Sequence, residues 1–399
     1  MKKLVLKFGG TSVGTIEKIK KVANIIKKRF SKGNEVIVVV SAMSGVTDEL
    51  KAKSDSISKN FDNKELDVLL SSGEQVSCSL LSGALIDLGV KARSWLGWQI
   101  PIVTNDNYTS SQIMKIKTDE ILNFISKKGV AVIAGFQGIS EESRITTLGR
   151  GGSDFTAALL AEALDAESCE IWTDVTGVYT TDPRITPAAH PLPELSFEEA
   201  AEMATFGAKV LHPATMEPAL RKDIKVFVGS SKEPEKGGTW IVRDCEHEPP
   251  YRAITRRKEQ VMVTVKTPKM MYAQGFLQQV FAIIAKHKLS VDLVTTSEIS
   301  VSFTLDNPAN SVAQRLNKET IAELETICDV KVEKGYDLVT VVGNNMQTAV
   351  GVSSKILAAV SDFNLRMICF GANPHNLSFL VNETDSDDVV RKLHTALFE

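Results

Sequence analysis

Four segments of the chain set glycines beside charged or hydroxyl side chains, and these are its candidates for chemistry. Lys7-Phe8-Gly9-Gly10-Thr11-Ser12 stands where an apolar run gives way to a helical pattern. Glycines let a backbone approach an anion closely, and a helix N-terminus aims free N–H groups at it. A lysine adds a point charge that reaches a phosphoryl group. The spacing fits neither a Walker A loop nor a dinucleotide fingerprint, and taken alone such a turn is more often structural. Thr147-Leu148-Gly149-Arg150-Gly151-Gly152-Ser153-Asp154 describes a second anion cradle at a helix start. Arg150 suits bidentate pairing with a carboxylate, and Asp154 reads equally as a plain N-cap. Trp172 to Arg184, WTDVTGVYTTDPR, offers groups that grip a base, a ribose and phosphates, or that make an ordinary polar loop. In Ala204 to Pro213, ATFGAKVLHP, Lys209 follows a glycine hinge, where a lone lysine is otherwise a solvated surface residue.

The elements that must position these groups follow from periodicity. Leu4–Phe8, Glu35–Ser41, Val130–Phe136, Glu170–Thr173 and Lys225–Val228 are short, β-branched runs. Amphipathic stretches Ile16–Phe30, Gly73–Leu88 and Asp154–Ala166 lie between them. Strand and helix in alternation predict an α/β fold, a mostly parallel sheet covered by helices, with ligands beyond the carboxyl ends of the strands. From Ser231 to Gln260 the chain turns charge-rich and includes Pro249-Pro250, which predicts an inter-domain connection. Beyond it lies an internal repeat. Offset by 76 positions, Gly275, Phe281, Leu289, Val291, Ser302 and Phe303 fall on Gly351, Leu357, Leu365, Met367, Ser378 and Phe379. Each copy reads strand, glycine, helix, strand, turn, strand.

A chain of 399 residues predicts two or three domains, and its 43 % hydrophobic and 24 % charged residues are those of a soluble globular protein. A net charge of −3 speaks against nucleic acid as a partner, and no apolar run reaches the roughly 20 residues of a membrane helix. Cys78, Cys169, Cys245, Cys328 and Cys369 are scattered, which fits a reduced cytoplasm and argues against disulfides or an all-protein metal site. MKKLVLKFGG is too short in its apolar part for a signal peptide and reads as a buried first strand.

KFGGTS, SAMSGVT (Ser41–Thr47), SSGE (Ser71–Glu74), TTLGRGGSD, TDVTGVYTTDPR and FGAKVLHP stand in the order found in aspartate kinases of the amino-acid kinase family, which the chain resembles over almost its whole length. The doubled C-terminal pattern resembles their paired ACT domains, an α+β ferredoxin-like fold. The resemblance implies an amino-acid kinase domain at 1–232, a linker at 233–262, and ACT domains at 263–335 and 336–399 with interleaved ends. It implies ATP-dependent phosphorylation of the β-carboxylate of L-aspartate, the first step toward lysine, threonine and methionine, with Mg²⁺ carried in on ATP. Lys7, Phe8, Gly9, Gly10, Thr173, Asp174, Tyr179, Arg184, Lys209 and Val210 match nucleotide contacts. Thr47, Glu74, Arg150, Gly151, Gly152 and Ser153 match the positions that hold aspartate. Lys7 and Asp154 match the catalytic pair, the aspartate orienting the lysine.

From about Glu170 onward the chain resembles the lysine-sensitive, monofunctional branch, whose effector pocket matches Met270, Phe276, Leu277, Val291, Asp292, Ser297 and Glu298. Ala273 stands where that branch commonly has a hydroxyl, which predicts one effector hydrogen bond fewer. The first half is more compact: Gly45–Gly73 is only 29 residues long where that branch carries a longer insertion. A cytoplasmic homodimer associating through the ACT repeats is implied, and no fused homoserine dehydrogenase is expected, since Glu399 follows closely on the second repeat. A glutamate or acetylglutamate kinase, and an inactive amino-acid sensor on the same scaffold, are the alternatives.

Overall fold

The computed structural model describes residues 1–149, 151–207, 216–245, 248–272, 274–305 and 316–399. These fall into two compact units. One holds the described residues of 1–178, 191–204 and 216–245, the other those of 179–190, 205–207 and 248–399.

The first unit runs β1 (Lys3–Phe8), α1 (Ile16–Ser31), β2 (Glu35–Val40), α2 (Val46–Ile57), α3 (Asn63–Asp87), β3 (Ala92–Trp95), β4 (Ile102–Thr104), β5 (Ile113–Ile116), α4 (Asp119–Ser126), β6 (Val130–Ala134), β7 (Gln137–Ile139), β8 (Ile145–Thr147), α5 (Gly152–Ala163), β9 (Ser168–Thr173), β10 (Glu194–Ser196), α6 (Phe197–Thr205), α7 (Met216–Arg221), β11 (Lys225–Ser230) and β12 (Gly238–Val242). Eight strands form the main sheet in the order β10-β12-β11-β9-β1-β2-β6-β3, and only the β11–β12 pair is antiparallel. Residues 4–8 of β1, the last five of β2 and all of β6 are buried, which is why, Lys7 apart, they read as apolar runs rather than as alternating ones. One face is covered by α1 and α3, with Ile19, Val22, Ile26, Leu81 and Leu85 packed on Leu4, Leu6 and Phe8. Helix α5 packs on β1, β2 and β9. A small sheet, β5-β4-β7-β8, sits beside the main one.

The expected helix Gly73–Leu88 begins ten residues earlier, at Asn63, where the Asp62 carboxylate accepts from the Lys64 and Glu65 amides. Gly73 is not a helix start but a close approach: a Cβ there would lie 2.8 Å from the Cβ of Ala42. The stretch 233–262, expected as a linker, contains β12, which joins the main sheet, and most of a long strand of the second unit. Its exposed charges lie mostly between the strands, with only Lys258 and Glu259 of them within β13, while Thr239, Ile241, Arg252, Ile254 and Gln260 are buried.

The second unit is built from β13 (Ala253–Lys266), α8 (Phe276–Lys286), β14 (Val291–Thr296), β15 (Ser300–Leu305), α9 (Lys318–Glu325), β16 (Asp329–Val342), α10 (Val352–Ala359), β17 (Met367–Phe370), β18 (Asn376–Asn382) and α11 (Ser386–Phe398). Its antiparallel sheet, β14-β15-β13-β16-β18-β17, shows the sequence repeat in atoms. Both helices open on a left-handed glycine, Gly275 (φ +81°) and Gly351 (φ +85°). Thr264 shares a 2.8 Å hydroxyl pair with Ser302, and Thr340 shares a 2.8 Å pair with Ser378, again 76 positions on. The two cores interleave, since Ile254 of β13 lies in the second while Val330 and Val332 of β16 pack on the first. Segment 179–190 also folds here. The Thr180 carbonyl accepts from the Ile254 amide (2.7 Å), its hydroxyl lies 3.0 Å from His394 Nε2, and Arg391 donates to the Ile185 carbonyl. No helix among the described residues is long and apolar enough to cross a membrane.

Candidate active site

A cleft of about 370 Å³ opens beyond the carboxyl ends of β1 and β2 and beside the start of α5. It is lined by Lys7 and Gly10, by the turn after β2 with Thr47 and Asp48, by Glu74, by Phe136, and by Gly149 and Gly151 to Asp154. Four of the sequence segments singled out above, KFGGTS, SAMSGVT, SSGE and TTLGRGGSD, therefore meet in one place.

Lys7 lies within the buried part of β1, and its ammonium is held 2.6 Å from the Asp154 carboxylate. Both side chains are largely screened from water, at 11 % and 18 % exposure. Asp154 is the third residue of α5, whose N-cap is Gly151 at φ +73°. Between the two roles open to it, Asp154 takes the partnership with lysine rather than the N-cap. Gly10 has no room for a side chain, because a Cβ would sit 2.8 Å from the Ala42 carbonyl oxygen. The α5 N-terminus contributes the positive end of a helix dipole to the same cleft.

Glu74 is the opposite pole. It projects from α3, is 3 % exposed, and accepts one hydrogen bond from the Ala42 amide through Oε1 (2.9 Å). Its Oε2 is buried without a hydrogen-bond partner. Burial pushes the carboxyl up to about 7, against the opposing pull of the Ala42 amide. A buried carboxylate oxygen facing a cleft with nothing to bind is arranged for a cationic ligand group.

The remaining expected residues divide. Thr47, Gly151, Gly152 and Ser153 line the cleft with Glu74. Gly9 sits beside Lys7, its amide donating to the Trp172 carbonyl at 3.2 Å. The Phe8 side chain is fully buried and stacked on Trp172 (6.2 Å), so only its backbone can face a ligand. Thr173 ends β9 and donates to the exposed Asp174. Tyr179 and Arg184 belong to the second unit, where Arg184 makes an ion pair with Asp182 at 2.7 Å. Arg150, Lys209 and Val210 lie outside the described residues. Sequence reasoning did not single out Asp48 or Phe136. Asp48 directly follows a selected threonine. Phe136, between Gly135 and Gln137-Gly138, carries the left-handed φ of +68° that is rare for a bulky residue. Among the described residues no group of three or more potential metal ligands is assembled.

In the second unit, Phe276 is buried in the first repeat's core, with Met270 and Val291 packed against it, while Leu277 is exposed. Asp292 pairs with Arg257 at 2.5 Å, and both are mostly buried. Arg257 also donates to the Thr205 carbonyl and lies over the Phe206 ring at 6.0 Å. Ser297 closes the turn between β14 and β15, its hydroxyl 2.7 Å from that of Ser300, and Glu298 stands exposed in the same turn. Ala273 is outside the described residues. The position matching Asp292 in the second repeat is Ile368, so the carboxylate is present in one repeat only.

A profile described as the amino acid kinase family matches residues 2–230, and one described as an ACT domain matches 339–397. The chain is 39 % identical to the lysine-sensitive aspartokinase 3 of Escherichia coli K12, over 99 % of each chain. That alignment spans 450 positions, 51 more than this chain has residues. The structure of E. coli aspartokinase III in complex with aspartate and ADP, an R-state, is similar at a TM-score of 0.86 and 39 % identity, covering 99 % of this chain and all of that one. Its complex with lysine and aspartate, a T-state, is similar at 0.83 and 40 %, covering 99 % of each.

Proposed function

The chain belongs to the amino acid kinase family, among the aspartokinases, and from that premise we propose that it transfers the γ-phosphoryl group of ATP to the β-carboxylate of L-aspartate. The observation that carries this is the bipolar cleft: the Lys7–Asp154 pair and the α5 N-terminus at one side, and the unsatisfied Glu74 oxygen at the other. Glu74 takes the α-ammonium of aspartate, Arg150 its α-carboxylate, and Thr47 and Ser153 the remaining polar atoms. Lys7, Gly9 and Gly10 meet the phosphates, with Thr173, Asp174, Tyr179, Arg184, Lys209 and Val210 serving the rest of the nucleotide.

The β-carboxylate is ionised at neutral pH and needs no general base. One of its oxygens attacks the γ-phosphorus, the bond from that phosphorus to the bridging oxygen breaks, and ADP leaves with the electron pair. The obstacle is repulsion between two anions. Lys7, held in place by Asp154, and the N–H groups of the first turn of α5 offset it. Mg²⁺ carried in with ATP would supply further charge neutralisation.

Lysine is the proposed effector, binding by Asp292, Ser297, Glu298, Met270, Phe276, Leu277 and Val291. The exposed apolar side chains Leu277, Val294, Ile368 and Phe370 support association of two copies through this unit. The free cysteines support a cytoplasmic setting. The deciding assay is ADP release from Mg-ATP with and without aspartate, and with millimolar lysine or threonine added. Aspartate-dependent release suppressed by lysine is expected. Release with glutamate or acetylglutamate instead would reassign the substrate, and nucleotide binding without turnover would make the protein a sensor.

A further inference from the structure

Helix α3 carries two buried carboxylates seven residues apart, and the proposed function uses only Glu74. The other, Asp67, is completely buried and makes no ion pair among the described residues. Its two oxygens instead accept from three donors on chain segments far away. Oδ2 takes the Thr147 amide (2.9 Å), Oδ1 takes the Thr147 hydroxyl (2.6 Å), and the Thr109 amide lies 3.0 Å from both. A buried carboxylate held only by neutral donors is costly, so such an arrangement persists only where the structure fixes it firmly.

What those donors belong to gives the carboxylate its meaning. Thr147 is the last residue of β8, two positions before Gly149, and Gly149, Gly151, Gly152 and Ser153 line the cleft. Thr109 adopts a left-handed φ of +68°, and its carbonyl oxygen would lie 3.4 Å from a Cβ on Gly149. The Ser111 amide donates to the Thr147 carbonyl (2.9 Å), closing the loop onto the strand. The glycine-rich turn thus hangs from two supports that both end on Asp67. The same rigid helix, two turns further on, holds Glu74 against the Ala42 amide.

Resting on the kinase reading, we propose that Asp67 is a positioning residue. It sets the distance between the pole that receives the substrate's ammonium and the turn that faces its carboxylates, by bolting that turn to the helix that carries Glu74. Nucleotide contacts made by β1 and the turn after it do not depend on this link.

The test compares Asp67→Asn and Thr147→Val in the full chain with the unaltered protein. An amide at 67 keeps acceptor capacity on one side but turns N–H groups toward existing donors. The valine removes only the hydroxyl. Misplacement of the turn is expected to raise the aspartate KM about 100-fold for Asp67→Asn and about 10-fold for Thr147→Val, with the ATP KM within about twofold. Amide hydrogen exchange should speed up at least about tenfold in peptides covering 105–112 and 145–149, and stay unchanged across β1 and β2. Equal rises in both KM values, or no rise in either, overturn the proposal. So does unchanged exchange near Thr109 and Thr147. Should Asp67→Asn fail to fold, Thr147→Val decides alone. Should the unaltered protein not phosphorylate aspartate, the kinase reading falls, and the exchange pattern still settles whether Asp67 holds the turn.

Discussion

Replacing Glu74 with glutamine separates the stability of the cleft from its use. In the folded protein the carboxyl is pushed up to about 7, against 4.5 for the free side chain, because α3 carries it out of water and backbone hydrogen bonding, the Ala42 amide foremost, offsets only part of that burial. A group raised on folding contributes its full stability below pH 4.5 and loses that contribution as pH climbs through 7. The span corresponds to about 3 kcal/mol at 1.36 kcal/mol per pH unit, as an order of magnitude. Glutamine keeps an oxygen for Ala42 and does not titrate. The variant is therefore expected to match the parent near pH 4, to exceed it by about 1 kcal/mol at pH 5 and by about 3 kcal/mol at pH 8, the last roughly 6–12 °C in melting temperature. Function should move the other way. Aspartate's ammonium would meet a neutral amide, and the aspartate KM at pH 8 should rise by about 100-fold, the loss of one buried charge-assisted pair. The parent itself should release about half a proton per aspartate bound at pH 7, which calorimetry in buffers of different ionisation enthalpy reads directly. Urea unfolding from pH 5 to 8 is the deciding assay. A stability difference between variant and parent that does not change with pH would refute the premise that Glu74 stands buried and uncompensated.

Lys7→Ala should lower kcat by about 100- to 1,000-fold with little change in the aspartate KM, as expected for a charge that acts on the transferring group; near-normal kcat in steady-state assays would remove Lys7 from catalysis. Gly10→Ala forces a Cβ against the Ala42 carbonyl, 2.8 Å away, and should destabilise the protein by about 1–3 kcal/mol in denaturant titrations. Arg257→Ala frees Asp292 from its 2.5 Å partner, so lysine should inhibit at about fivefold lower concentration; weaker inhibition would show that Arg257 supports the effector rather than competes with it.

What the sequence made legible was local. Lys7 with its glycines, the glycine run before α5, and the 76-residue repeat are each carried by neighbours in the chain, where spacing and turn chemistry leave a mark. Contacts over long separations leave none. Asp67 meets Thr109 and Thr147 across 42 and 80 positions, so its type alone gave no hint of a role. The Asp292–Arg257 pair spans 35 positions, and a carboxylate expected to await an effector is already engaged. Gly73 lies inside α3 although glycine is a poor helix former, because its missing side chain allows the close contact with Ala42 that the apolar pattern does not reveal. The charged stretch after Ser231 hid β12 and β13, because charges crowd the sequence around and between strands whose buried positions do not alternate regularly.

The course of the chain through the second unit bears on how the protein is made. Thr180 is held by His394, a partner 214 positions later in the chain. At 5–20 residues per second that partner emerges from the ribosome about 10–40 s afterwards. Through that interval the segment 179–190 waits without its own unit, while the strands on either side of it have their sheet neighbours, β9 between β1 and β11 and β10 beside β12. A message cut short after β12 would therefore not yield a kinase merely freed of its regulator. It would yield a chain with an unhoused loop in its middle, presented to proteases and chaperones from the moment of its birth.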